Sequence, residues 1–285
     1  MCFRAPLAAV TLGFALAGPF SMPVRAETAV ATGAVGTLSG LMRLDDHFRI
    51  IAEEGAAHGK SIEDSMFPGR GGSVWAAEVA RIYDAAALQG RFDAAFSAAL
   101  AANPDAVAAA AAFFGSDLGK RITALEVEAR RALLDEAVTE AAEVQAEKMA
   151  AARDPRLRLI RQLIEAGNMV EQNATSSMTG YLAFNTGLES ALPENRRTPA
   201  EDLMTGIWGQ EAQMRADATD WLVTYMVLAY GPLPDDELRA YIAFMQTDAA
   251  KAVNAAMFAA YDAAFSPALK ELGFEAGRTL QGRDI

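Results

Sequence analysis

Cysteine is almost absent from this chain: Cys2 is the only one in 285 residues, and it lies in a segment that reads as a removable leader. A disulfide framework is thereby excluded for the rest, along with a cysteine nucleophile. Histidine is nearly as scarce, with His47 and His58 alone. A zinc site needs at least three converging ligands, and no His-Glu-x-x-His spacing occurs. Asp46, His47 and Glu54 are close enough in sequence to be weighed as a metal cluster, but a solvated helix boundary is the ordinary reading, and no metal is expected. No P-loop, dinucleotide fingerprint or Gly-x-Ser-x-Gly elbow is present, so no cofactor is expected. Alternating apolar and polar residues between turn signals are also missing, which excludes a β architecture and leaves an all-α fold.

Basic residues are outnumbered by 37 acids to 25, for a net charge of −12. Such a surface repels nucleic acid and anionic membranes, and is compatible with a basic partner or cations. Beyond the leader no apolar run is long enough to span a bilayer, which takes about 20 residues. The leader itself, residues 1–26, has Arg4, an apolar stretch from Ala5 to Phe20, and a small-x-small end at Val24-Arg25-Ala26. That pattern predicts a signal peptide and a periplasmic destination.

After residues 27–37, which read as a flexible leader, the apolar spacing is helical throughout. Leu41, Leu44, Phe48 and Ile51 make one stripe, which Gly55 is expected to end. Ser73 is placed to cap a helix carrying Trp75, Val79 and Ile82, with a bend expected near Gln89-Gly90. Asn103-Pro104 and Asp154-Pro155 are helix starts. Between them a long stripe runs from Leu118 to Val144, with Glu126, Arg130, Arg131 and Asp135 on its exposed side. Trp221 to Tyr230 is apolar on all sides and belongs inside.

One block is written twice. Phe113-Phe114-Gly115-Ser116-Asp117-Leu118-Gly119-Lys120 falls on Phe244-Met245-Gln246-Thr247-Asp248-Ala249-Ala250-Lys251 at a shift of 131 positions. Trp75 and Glu78 fall on Trp208 and Glu211 at a shift of 133. This predicts a helical bundle of two tandem, sequence-related repeats, residues 38–152 and 153–273, followed by a loose tail over 274–285. Within each block, Ser116 or Thr247 is placed to cap a restarted helix. Asp117 with Lys120, and Asp248 with Lys251, fall on one helical face. The ordinary reading is a capped bend; the sharper one is an anion site at the helix start, using Lys120 or Lys251.

The doubled block, the Trp75 helix, the leader and the segment Leu163-Ile164-Glu165-Ala166-Gly167-Asn168 resemble the secreted bacterial proteins grouped as domain of unknown function 2059. The likeness runs from about Leu41 to Leu269. It implies an exported, all-helical protein and no particular activity. Ala250, standing where the first copy has Gly119, departs from the family's pattern.

Seven methionines between Met169 and Met257 suit either irregular core filling or an adaptable groove. With no catalytic set in view, the leading expectation is a non-enzymatic binding module with a groove between its repeats. Its occupant would be a hydrophobic small molecule or an apolar segment of another envelope protein. The alternatives are a structural component of an envelope assembly and a carboxylate-dependent hydrolase. For the hydrolase, Glu171, on the stripe between Gly167 and Ala174, is the named acid.

Overall fold

The computed structural model describes residues 24–282, with side-chain surroundings from residue 33 onward. The signal peptide assigned to residues 1–26 lies almost wholly outside that range. Among the described residues all regular structure is helical. The chain runs through α1 (Val24–Leu41), α2 (Leu44–Met66), α3 (Gly72–Ile82), α4 (Ala85–Leu100), α5 (Pro104–Phe114) and α6 (Asp117–Ala132). A connecting helix, α7 (Glu136–Ala151), leads to α8 (Pro155–Ala166), α9 (Met169–Ala191), α10 (Ala200–Trp208), α11 (Glu211–Tyr230), α12 (Asp235–Met245) and α13 (Asp248–Leu280). None of these helices is long and apolar enough to cross a membrane.

Two hydrophobic cores form, and each draws on a helix from the other half of the chain. The first gathers α1 to α5 around α13, with Phe48, Trp75, Phe92, Phe96 and Leu272 buried in it. The second gathers α6, α7, α8, α11 and α12, with Ile122, Ile160, Leu163, Tyr230 and Leu238 at its centre. A sequence boundary near residue 152 is therefore not a boundary between cores. Phe113 and Phe244 pack against both cores and join them, their rings parallel within 1° and 3.8 Å apart.

The two bends that send α6 and α13 across share one geometry. Ser116 Oγ accepts from the Gly119 amide at 3.1 Å and donates to the Phe113 carbonyl at 2.6 Å. Thr247 Oγ1 does the same with Ala250 and Phe244 at 3.2 and 2.7 Å. Both capping residues are extended, and the residues before them are helical. Further correspondences appear at the starts of α2 and α9, which are both 23 residues long. Each begins from a residue in the left-handed region, Arg43 at φ 55° and Asn168 at φ 49°.

Several boundaries differ from those read in the sequence. Residues 27–37, expected to be flexible, belong to α1, and Val35 is buried because it meets the first core. Gly55 does not end a helix: α2 passes through it, since a side chain there would strike the Tyr83 ring. The α3 start is capped by buried Glu63, whose Oε1 accepts from the amides of Gly71 and Gly72, and not by Ser73. The next break falls at Asp84, which accepts from Ala87, and leaves Gly90 inside α4. Asp135 likewise caps α7 and divides the long stripe.

The expected loose tail over 274–285 is helical as far as Leu280. α13 runs through exposed Pro267 to Leu280, and Leu272, Gly273, Ala276 and Thr279 are buried. What holds it is α9, alongside and in the same direction. A Cβ on Gly187 would lie 1.8 Å from the Lys270 carbonyl oxygen, and one on Gly273 would lie 1.9 Å from that of Phe184. Backbones this close require glycine on both helices.

Candidate functional site

Where the two cores meet, a cavity of about 530 Å³ opens. Its walls come from α2, α6, α9, α11, α12 and α13, so both halves of the chain contribute. A second hollow of about 620 Å³, along α2, α9 and α13, shares His58, Asn173, Ser176, Tyr261, Phe265 and Leu269 with it and leads outward. Most of the lining is apolar or aromatic, with Met226, Phe244, Met245, Val253 and Met257 on the wall.

α6 brings Glu126 and Arg130 to the wall. Ile122 and Ala129 face the second core, and Glu126 and Arg130 lie on the same side one turn apart. Glu126 Oε1 accepts from the Tyr230 hydroxyl at 2.5 Å and the Tyr241 hydroxyl at 3.2 Å. The Tyr225 hydroxyl donates to the Glu126 main-chain carbonyl at 3.2 Å. Glu126 is half-buried and lines the cavity. Burial pushes its carboxyl up to about 7, and the two phenolic donors pull it part of the way back. Burial first, then the charge of Glu126, raises all three tyrosines well above their ordinary value, so they remain protonated donors.

Arg130 turns away from Glu126 and takes Glu54 in a two-pronged pair, Nε to Oε1 at 3.0 Å and Nη2 to Oε2 at 2.6 Å. Its guanidinium also sits 5.8 Å from the Trp221 ring centroid, and Trp221 stacks on Tyr225 at 5.2 Å. His47 lies on the same wall; burial, then the Arg130 charge, lowers it to about 4, so it is neutral near pH 7. His58 is helical, not in a turn, with Nδ1 2.9 Å from the Tyr83 hydroxyl, and burial lowers its pKa as well. Buried Asn254 donates to the Gly167 carbonyl at 2.7 Å, tying α13 to the α8–α9 junction.

The residues singled out in the sequence divide sharply. Phe244 lines the cavity, and Phe113 stacks on it from behind. Lys120 and Lys251 are exposed and do not line the cavity; the expected ion pairs to Asp117 and Asp248 do not form among the described residues. Those aspartates sit exposed in the first turns of α6 and α13, where the helix dipole favours them. Glu171, weighed as a catalytic acid, is exposed, ion-paired with Arg215 and not among the cavity-lining residues. Trp75 is 1% exposed, its Nε1 donating to the Gly59 carbonyl at 2.8 Å, whereas Trp208 at the end of α10 is 59% exposed.

Glu126 and Arg130, assigned to an exposed face from their spacing, are the centre of the site. Glu126 is four residues after Ile122 and three before Ala129, both on the apolar stripe, and that position was the available signal. Tyr241 carried no comparable mark. Set against protein-family models, curated proteins and solved structures, the chain matches none of them.

Proposed function

We propose that this chain is an exported binding protein that holds a small, largely apolar molecule between two copies of a six-helix unit. The cavity carries this reading. Its volume of about 530 Å³ falls within the range of small-molecule sites, roughly 300–1,000 Å³, and its wall sets a few polar groups among many apolar ones. The order α1 to α6 is echoed by α8 to α13, with matched lengths in α2 and α9 and matched caps at α6 and α13. In this scheme each copy lends its sixth helix to the other's core, and the ligand site lies where those helices cross. Export to the periplasm follows from the leader sequence and agrees with the resemblance to domain of unknown function 2059.

Native mass spectrometry of the protein drawn from its own cell envelope tests the reading, together with calorimetric titration of an amphipathic compound panel. A bound small mass, lost when Val253→Trp fills the cavity, is the expected result. A bound peptide mass would instead assign the cavity and its lateral groove to an apolar segment of an envelope protein. No co-purifying mass and no binding by any compound would remove the binding role.

A further inference from the structure

We infer that the cavity takes a molecule bearing a protonated amine on an apolar body, the amine donating to Glu126. The inference rests on the binding reading above and names the ligand class for that site. Both phenolic donors converge on Glu126 Oε1, at 2.5 and 3.2 Å. Oε2 receives no hydrogen bond from the described residues, although Glu126 lines the cavity. That oxygen keeps accessible surface and Glu126 lines the cavity, so a ligand held there is placed to donate to it.

Charge selects among donors. The other charged groups on the wall cancel, because Arg130 is forked onto Glu54. His47 is neutral near pH 7, and the surrounding tyrosines are neutral donors. Above about pH 7, where Glu126 ionises, its anion is the one wall charge without a counter-charge, and an ammonium group complements it. An anionic ligand would have to displace Glu54 from Arg130 beside a second carboxylate. The walls agree: Trp221, Tyr225, Tyr230, Tyr241 and Phe244 offer π-faces, which attract cations. A bare metal ion fits poorly, since hard cations take about six oxygen ligands and this wall offers one open carboxylate oxygen.

Calorimetric titration at pH 8 with 2-phenylethylamine, 3-phenylpropionate and 2-phenylethanol separates the cases by headgroup alone. The amine is expected to bind about tenfold more tightly than the alcohol, as a charge-assisted hydrogen bond warrants, with the acid weakest. Glu126→Gln, checked for folding by its thermal melt, is expected to erase the amine's advantage over the alcohol. If the acid binds as tightly as the amine, or the advantage survives in Glu126→Gln, the amine assignment falls and the cavity reading stands. Binding of none of the three by the wild-type protein also overturns the assignment, whereas only failure of the wider panel removes the cavity reading. The wild-type ranking decides the matter should the variant not fold.

Discussion

The two cores receive their crossing helices at equivalent points and use them in opposite ways. α13 lays Met257, Tyr261 and Phe265 against Phe48 and Phe92, with ring centroids 4.8 Å apart for Phe92–Tyr261 and 5.8 Å for Phe48–Tyr261. α6 presents Glu126 and Arg130, which a shift of 131 places on Met257 and Tyr261. One core is filled by aromatic packing, while the other keeps a carboxylate and an arginine facing the space between them. On the proposed duplication, the chemistry lies where one copy departs from its sibling. The shared caps and the Phe113–Phe244 stack only aim the helices. Residues that two copies share describe the scaffold, and those that differ describe the site.

That contrast can be broken most forcefully on the packed side. Phe92→Ala removes a fully buried ring that touches Phe48, Phe96 and Tyr261, and should cost about 3–5 kcal/mol in a urea melt. On the polar side the sign reverses. The folded-state pKa of Glu126 is raised to about 7 from an ordinary 4.5, so the native state binds the extra proton between those values. Its burden is absent below about pH 4.5 and complete once pH rises through about 7. Glu126→Gln should therefore raise stability at pH 8 by roughly 2–3 kcal/mol and leave it unchanged near pH 4, read as melts across pH.

His47 acts in the other direction. Its folded pKa is depressed to about 4 from 6.5, so its contribution is present above about pH 6.5 and is lost as pH falls towards 4. In the Glu126→Gln protein stability should then climb from pH 4 to 6.5 and level off, and adding His47→Asn should flatten that climb, by about 1–2 kcal/mol. The smallest expected effects bear on what the two halves share. Ser116→Ala and Thr247→Ala should each cost about 1 kcal/mol, and by similar amounts, because the two caps have one geometry. A large difference between them would separate the bends that the sequence pairs.

The helical class and the two capped bends were legible because each depends on neighbours in sequence or on the repeated block, whereas the stacking of Phe113 on Phe244 was not foreseen. Helix ends were less legible. Gly55 and Gly90 are breakers by composition, yet sit inside helices, Gly55 because it lets a distant ring approach. The site was hidden for a related reason. Glu126 and Arg130 are ordinary ion-pairing neighbours on an isolated helix, and only the arrival of Tyr230, Tyr241 and Glu54 from elsewhere turns them inward. Trp208 shows the reverse: its counterpart Trp75 is buried, but no described helix covers α10 on that side.

The placement of α13 sets the order in which a nascent chain can mature. The 33 residues of α13 that complete the first core are synthesised after all the other helices described. Helices α1 to α5 thus leave the ribosome long before their central strut exists, and cannot settle into a finished unit on the way. Most multi-part chains mature from the front as they emerge. The first core instead waits for α13, which is made after every other helix that packs in it, so its closure is the late event of the fold.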